Sequence, residues 1–365
     1  MDKYKPAPDY LMILVIVALL SIGVVIVYSS SAVISLASFD DSFYYAKRQL
    51  IWAFIGLFAM FAIMKIDYWK WQEYAVKILI GCYVLLFVVL IPGVGSVRNG
   101  ARSWIDLGFM SLQPAEFAKL SIIIFLSYWL ANNQSKIADF KQGFLPPLGI
   151  CLLTFGVIML QPDLGTGTVL FLTGMVIIFT AGAKIKHILG LASLGIPAFA
   201  ALVLVAPYRI KRLTSFMDPW ADPLNTGYHI IQSLYAIGPG GLMGLGLGRS
   251  RQKFFYLPEP QTDFIFSILA EELGFIGGSL VICLFVLLIW RGMHTAITAP
   301  DLFGTFLATG ITAMIAIQVI INIGVVTGSF PVTGITLPFI SYGGSSLVLM
   351  LCSVGVLLNI SKYAK

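Results

Sequence analysis

Residues 10–31, YLMILVIVALLSIGVVIVYSSS, decide the kind of fold because they form a long apolar stretch without a charged side chain. A helix needs about 20 mainly apolar residues to cross the hydrocarbon core of a bilayer. The apolar core of about 18 residues is longer than the apolar region of a signal peptide, which has about 7–15 residues. We therefore interpret residues 10–31 as the first membrane-spanning helix.

Nine further stretches of this kind follow along the 365 residues, which are 58% hydrophobic and 11% charged. Soluble domains average about 45–50% apolar and about 25% charged residues, so the composition excludes an ordinary soluble protein. Because no Ser/Pro/Gly-rich linker divides the chain, we predict a single all-α polytopic membrane domain over residues 1–365. The further predicted spans are residues 49–64, 75–91, 115–131, 144–160, 166–182, 187–206, 264–290, 302–326 and 338–360.

The basic residues predict the orientation of these ten spans. Twelve Lys and Arg residues fall in segments on the side of the N-terminus, and four fall in short segments on the opposite side. Short cytoplasmic segments are enriched in Lys and Arg, which favours a multi-pass protein of the cytoplasmic membrane with both termini in the cytoplasm. The net charge of +6 then reflects this topology and contact with anionic membrane lipids, and it does not indicate a nucleic-acid partner.

Several ionisable side chains lie where an inert bundle would avoid them. Gln113, Glu116 and Lys119 share one helical face at the start of the fourth span, Asp163 opens the sixth, and Arg48 lies at the edge of the second. Such groups are costly in hydrocarbon and usually mark a site or pathway. Two compatible interpretations remain: an internal salt-bridge network, or a hydrophilic cavity open to one leaflet.

Residues 207–263 form a predicted large extracytoplasmic loop between the seventh and eighth spans. Its aromatic residues, prolines and helix-like pieces favour an ordered cap at the membrane interface, where aromatic rings are preferred. Basic side chains in this loop could hold an anionic group. They are Arg209, Lys211, Arg212, Arg249, Arg251 and Lys253.

Two other features of this loop have competing interpretations. His229, Gln232 and Ser233 could bind a polar substrate, although a local hydrogen bond is the commoner role of such a loop histidine. The glycine run 240–248 lacks the Gly-Lys-Ser/Thr ending of a phosphate-binding loop, so a tight backbone turn is favoured over nucleotide binding. Only three histidines are present and the four cysteines lie in apolar runs, so no protein-bound metal site is expected.

The sharpest local signal is residues 256–266, YLPEPQTDFIF, where two prolines bracket Glu259 and Asp263 falls in the first turn of the predicted eighth span. Ser267 and Glu271 follow at intervals of four residues. Thr262 or Asp263 could simply cap the helix. Alternatively, a carboxylate at the outer lipid–water boundary could act as a general base, since a low-dielectric surface raises its basicity.

Six motifs together resemble the SEDS family (shape, elongation, division and sporulation) of bacterial peptidoglycan glycosyltransferases. They are RQKFFYLPEPQTDFIF (251–266), QPDLGTGT (161–168), SLQPAEFAK (111–119), NGARSWI (99–105), HIIQSLYAIGPGG (229–241) and PVTGITLPFISYGGSS (331–346). The resemblance covers virtually the whole chain and is greatest to the sporulation branch, with the division branch next. It implies ten spans and polymerisation of lipid II into β-1,4-linked glycan strands, for the division or sporulation wall.

The resemblance also implies roles for single residues. Asp263 matches the catalytic aspartate of the family, whose proposed role is to take a proton from the acceptor GlcNAc 4-hydroxyl with inversion at the donor carbon. The remaining matched residues are implied to bind substrate or shape a polar cavity. They are Arg48, Glu116, Lys119 and Asp163, Arg102 and Trp104 of an outer-loop element, and Ser341 and Ser345 of the SYGGSS element.

The implied partners are lipid II and a transpeptidase, a class B penicillin-binding protein. No tightly bound cofactor is expected; the pyrophosphate could be neutralised by the basic residues or by Mg²⁺ or Mn²⁺. Two other classes of function fit the same features. A transporter of the lipid-linked precursor would also need a polar cavity, and a non-catalytic scaffold would only recruit the transpeptidase.

Overall fold

The computed structural model describes residues 7–98, 100–106, 108, 111–204 and 207–364. Within them the chain forms twelve α-helices, and ten of these lie on the ten predicted spans. These ten are α1 Tyr10–Phe39, α2 Tyr44–Ile63, α3 Trp69–Val88, α4 Pro114–Asn132, α5 Leu145–Met159, α6 Leu164–Thr180, α7 Ile185–Leu204, α10 Ile265–Ile297, α11 Leu302–Val326 and α12 Gly344–Ser361.

The helical membrane fold is confirmed by these elements. Among the described residues, eight helices are long and apolar enough to cross a bilayer, with α5 counted together with the π-helical turn before it as Phe140–Met159. Helix α6, with 17 residues, is a shorter apolar helix. The last two residues of the seventh predicted span, 205–206, lie outside the described residues. The number of ten spans therefore stays a prediction.

Helix α11 occupies the middle of the bundle, where it packs against α4, α6, α10 and α12. Most of its side chains are buried. Helix α2 packs along α12, and α3 packs along α4. The starts of α4, α6 and α12 lie together, joined by hydrogen bonds from Gln113 to Asp163 and from Ser346 to Glu116.

The segment between α3 and α4 is a small antiparallel sheet, which the sequence analysis did not predict. Its strands are β1 Gly95–Arg98, β2 Ala101–Asp106 and β3 Ser111–Leu112, in the order β1-β2-β3. The Asn-Gly dipeptide at 99–100 is a typical hairpin signal, but the strands are too short to stand out beside the apolar spans. Strand β2, which carries Arg102 and Trp104, contacts α4.

The predicted large loop contains two of the twelve helices, α8 Pro207–Met217 and α9 Tyr228–Ile237. A series of turns over residues 251–264 then leads into α10. Helix α9 packs against α10 and α11. Residues 228–264 are therefore held against the ends of two long helices rather than extending away from the bundle.

Helix α10 is broken at Gly274, which has a φ of +68°; the sequence analysis predicted an uninterrupted span here. Residues 241–246 of the glycine run fill the break. Four backbone hydrogen bonds of 2.8–3.1 Å join them to residues 271–276. The glycine run thus supplies the hydrogen-bond partners that the helix lacks at the break. Backbone groups buried in a membrane protein need such partners.

We predict that Gly274→Ala lowers stability by about 1–3 kcal/mol, because a non-glycine residue is strained at positive φ. An added Cβ would also lie 2.3 Å from the Gly244 nitrogen and 2.6 Å from the Leu242 carbonyl oxygen. Gly81→Ala is the matched control, since a Cβ on that α3 glycine meets nothing within 4 Å. Thermal unfolding in detergent compares them, and equal midpoints for both variants would contradict the prediction.

Candidate functional site

The segment between α11 and α12, residues 331–343, is non-helical backbone packed inside the bundle; we call it the central loop. The sequence analysis placed the start of the last span at residue 338, which is wrong because α12 begins at Gly344. Pro338 and the positive φ of Phe339, 64°, are incompatible with a continuous helix. Close packing fixes the loop: a Cβ on Gly23 would lie 2.7 Å from the Phe339 carbonyl oxygen, and one on Gly165 2.6 Å from that of Thr333.

The central loop and α11 hold the turn that contains Asp263. Three consecutive backbone carbonyls, those of residues 261, 262 and 263, each accept a hydrogen bond. The donors are the Tyr342 amide (2.9 Å), the Ser341 hydroxyl (2.6 Å) and the Asn322 side-chain amide (2.8 Å), respectively. The backbone of Asp263 is therefore fixed by contacts with residues about 60–80 positions later in the chain.

Asp263 lies just before α10 rather than in its first turn, which corrects the predicted position. The N-cap residue of α10 is Phe264, and it forms no side-chain capping hydrogen bond. Neither Thr262 nor Asp263 thus occupies the N-cap position. The Asp263 side chain is half-buried, and one carboxylate oxygen lies 3.7 Å from the point that a Cβ on Gly334 would occupy. The carboxylate therefore lies beside the central loop.

A buried polar cluster lies where α4, α6 and α12 begin. Glu116 and Lys119 form an ion pair of 2.9 Å, with both side chains less than 10% exposed. The Ser346 hydroxyl donates to Glu116 at 3.0 Å, and Gln113 donates to Asp163 at 3.0 Å. The ion pair lies within α4, and α4 contacts α6 through an amide–carboxylate hydrogen bond rather than through the predicted salt bridge.

Arg48 lies at the same end of the bundle, near the start of α2. Its side chain is exposed, and its guanidinium stacks 4.5 Å from the centre of the Tyr44 ring. The neighbouring Gln49 donates to the Ser341 carbonyl at 3.2 Å. Arg48 is thus presented beside the central loop as an accessible positive charge.

The three predicted residues of α9 have different surroundings. The His229 ring stacks on Phe264, with 5.9 Å between ring centres, so it lies next to the Asp263 turn. Ser233 is fully buried; its hydroxyl donates to the Val326 carbonyl at 2.7 Å and lies 2.7 Å from the Ser267 hydroxyl. Gln232 is half-buried. Ser233 therefore holds α9 against α10 and α11.

Lys253 is separated from the other basic residues of the loop. It is 5% exposed and forms an ion pair of 3.2 Å with Glu272 in α10. Glu272 also accepts hydrogen bonds of 2.7 Å from Ser29, and the adjacent Glu271 accepts one of 2.5 Å from Ser250. This buried cluster joins the loop to α1 and α10 beside the helix break.

The other predicted basic residues are exposed where the structure describes them. Lys211, Arg249 and Arg251 have exposed side chains. The side chains of Arg209 and Arg212 lie outside the described residues. The described part of the chain contains no cluster of three or more His, Cys, Asp or Glu side chains that could hold a metal ion.

The remaining predicted site residues surround this end of the bundle. Arg102 contacts the segment after α3 through a hydrogen bond of 3.5 Å to the carbonyl of residue 90, and Trp104 lies opposite β1. Glu259 is exposed and accepts a hydrogen bond of 3.2 Å from Thr262. Ser345 is buried in the first turn of α12, and its hydroxyl has no hydrogen-bond partner among the described residues.

Asn322, like Gln49, is a residue of this region that the sequence alone does not single out. It is 1% exposed in the last part of α11. Its side-chain amide contacts two separate segments, the Asp263 turn and the central loop. The available signal was a carboxamide inside an apolar span, which is costly in a membrane unless it is hydrogen-bonded.

Comparison with known proteins gives agreement along nearly the whole chain. The model of a family described as cell cycle protein, covering FtsW, RodA and SpoVE, matches residues 9–365. The chain is 60% identical to stage V sporulation protein E of Bacillus subtilis over 100% of both chains. It is 45% identical to a probable peptidoglycan glycosyltransferase FtsW of Geobacter metallireducens, over 98% of this chain and 95% of that protein.

Solved structures show the same architecture. A chain of a structure described as structural coordination of polymerization and crosslinking by a peptidoglycan synthase complex superposes with a TM-score of 0.80 at 30% identity. The alignment covers 98% of this chain and 99% of that one. The rod shape determining protein RodA of Thermus thermophilus superposes with a TM-score of 0.73 at 29% identity, and 97% of each chain is covered.

We predict that Lys119→Met destabilises the protein by about 3–5 kcal/mol, because it leaves the buried Glu116 carboxylate without its counter-charge. The double variant Lys119→Met/Glu116→Gln should recover most of that loss, since no unpaired charge remains. Thermal unfolding of the three proteins in detergent measures this. A double variant less stable than the single one would show that the ion pair is not the interaction that matters.

Proposed function

The chain belongs to the FtsW/RodA/SpoVE family of cell cycle proteins, and on this basis we propose that it polymerises lipid II into β-1,4-linked glycan strands at the outer face of the cytoplasmic membrane. Its enzyme class is peptidoglycan glycosyltransferase, the class named for relatives that match over nearly their whole length. The multi-pass helical fold fits this activity, because the substrate is anchored in the bilayer by its lipid tail. The resemblance to the sporulation branch favours a role in the sporulation wall.

Asp263 is the general base of the proposed reaction. Its carboxylate takes the proton of the acceptor GlcNAc 4-hydroxyl as that oxygen attacks the anomeric carbon of the donor MurNAc. The new C–O bond forms as the bond from that carbon to undecaprenyl pyrophosphate breaks, with inversion at the carbon. A positioned general base contributes about 10²–10⁴ in rate.

The observation that carries this proposal is the fixed backbone of Asp263. Hydrogen bonds to three successive carbonyls, at residues 261–263, leave the turn little freedom. The carboxylate nevertheless stays half-exposed. A base that is rigidly held but accessible fits proton transfer, since catalysis depends on holding the reacting atoms in a near-attack geometry.

The surrounding charges suit a lipid-linked sugar diphosphate. Arg48, Arg249 and Arg251 are exposed and positively charged, and they could stabilise the pyrophosphate as it leaves. We retain Mg²⁺ or Mn²⁺ accompanying the pyrophosphate as an alternative source of positive charge.

The proposed partner is a transpeptidase of the class B penicillin-binding proteins. The basis is the resemblance to a chain from a peptidoglycan synthase complex that coordinates polymerization and crosslinking. A precursor transporter and a non-catalytic scaffold remain the competing functions. The enzyme is favoured over both because a fixed, partly exposed carboxylate and exposed arginines are the groups that glycosyl transfer needs.

We predict that Asp263→Asn abolishes lengthening of labelled lipid II by the purified protein with its partner, because an amide cannot accept the proton. Asp222→Asn is the control in the same loop. Hydrogen bonds from the Asn225 side chain and the Thr226 amide lower the pKa of Asp222, so this control removes a charge of the same kind. We expect it to retain wild-type turnover.

Polymerisation by Asp263→Asn, together with movement of lipid II across a vesicle bilayer, separates the three functions. A scaffold requires that Asp263→Asn keep full polymerising activity in the assembled complex. A transporter requires that polymerisation be unchanged while movement of lipid II across a vesicle bilayer fails. Wild-type turnover of Asp263→Asn would end the assignment of Asp263 as general base.

A further inference from the structure

Asn322 makes an unusual double contact at the end of α11. Its Nδ2 donates to the carbonyl of Asp263 at 2.8 Å and to the carbonyl of Ile335 at 2.7 Å. Carbonyl oxygens only accept hydrogen bonds, so the chemistry fixes which end of the amide faces them. A single NH₂ group thereby ties the Asp263 turn to the central loop.

The two acceptors belong to the two backbone segments that lie next to the Asp263 carboxylate. One is the backbone of the same residue. The other is the carbonyl of Ile335, the residue after Gly334. One oxygen of the Asp263 carboxylate lies 3.7 Å from the position that a Cβ on Gly334 would occupy. The Asn322 amide therefore sets the distance between the backbone of Asp263 and the central loop, which lies beside the Asp263 carboxylate.

We propose that Asn322 is the positioning residue for the Asp263 carboxylate. Both NH₂ protons of the amide are used to set the distance between the Asp263 turn and the central loop, and hence the direction in which the carboxylate meets the acceptor hydroxyl. The proposal rests on the proposed function, since it assigns a purpose to Asn322 only if Asp263 acts on the substrate.

The rest of the junction shows why this contact acts on position more than on folding. The carbonyls of residues 261 and 262 have their own donors, Tyr342 and Ser341. Losing Asn322 would free the Asp263 carbonyl and the Ile335 carbonyl, while the other two hydrogen bonds between the turn and the central loop would remain.

A small displacement is enough to produce a large kinetic effect. A misplacement of about 1 Å of a reacting group can cost about 10²-fold in rate. Binding of lipid II depends on a much larger surface, which the Asn322 amide does not form. Loss of the amide should therefore lower kcat and leave KM nearly unchanged.

The test uses two variants of the full-length protein, assayed with a class B penicillin-binding protein on labelled lipid II. Asn322→Leu keeps the approximate shape and removes both hydrogen bonds. Asn322→Asp keeps the size and places a carboxylate against two carbonyl oxygens. We expect kcat per folded molecule to fall about 10–100-fold in both, with KM within about twofold.

Asn359→Asp is the matched control. Asn359 is also 1% exposed, and its Nδ2 donates to the Met64 carbonyl at 2.9 Å, in a junction between α2 and α12 far along α12 from Ser345. Both substitutions replace a buried amide that bridges backbone segments. We expect Asn359→Asp to lower the unfolding temperature as much as Asn322→Asp does, and to leave kcat per folded molecule unchanged.

Three results would overturn the proposal: wild-type kcat in either folded Asn322 variant, a raised KM with unchanged kcat, or an equal loss of kcat in the Asn359 control. Failure of the proposed function is a separate result, because it would appear as activity of Asp263→Asn. Inactive Asp263→Asn together with fully active Asn322 variants would reject the positioning role alone. If Asn322→Leu does not fold, Asn322→Asp decides.

Discussion

The structure depends on one constraint: backbone that leaves the helical pattern inside a membrane bundle must find hydrogen-bond partners in other segments. The central loop, residues 331–343, and the break at Gly274 are the places where this chain meets that constraint most clearly. Ser341 and Tyr342 of the central loop donate hydrogen bonds to the Asp263 turn. At the Gly274 break, the glycine run 240–248 supplies the hydrogen-bond partners. Both irregular regions converge on the first part of α10.

The convergence explains why Asp263 can be rigid although it lies in a turn. The turn is held from one side by α11 and the central loop. From the other side, the ion pair of Lys253 with Glu272 anchors the preceding segment to α10. Strands or helices usually hold catalytic groups more precisely than loops do, and here contacts from distant parts of the chain replace the missing regular structure. The resulting rigidity is what the proposed general base requires.

The sequence predicted the parts of the fold that depend on local composition. Ten apolar stretches became ten helices because hydropathy over about 20 residues is a local property. The break at Gly274 and the start of α12 at Gly344 were missed because each depends on packing between distant segments. The strands β1–β3 were missed because they are short and lie between strongly apolar spans.

The candidate site divides in the same way. Asp263 and the cluster around Glu116 were recognisable because carboxylates near apolar spans are rare and costly. Lys253 was grouped with exposed basic residues, because nothing near it in sequence shows that Glu272 lies 3.2 Å away. Asn322 was missed because its side chain bonds to two backbone carbonyls, and the sequence does not show which backbone carbonyls lie near a side chain.

As the proposed general base, the Asp263 side chain must be reachable from outside the cell, where the sugars of a lipid-linked substrate would lie. Labelling of a single cysteine at position 263, in a variant without Cys82, Cys151, Cys283 and Cys352, measures this in intact cells with a membrane-impermeant maleimide. Cysteines at 222 and 136 serve as references for the predicted outer and inner sides. We expect labelling at 263 and 222 but not at 136. Labelling at 263 only after the inner face is opened would show that this side chain faces the cell interior and would rule it out as the base.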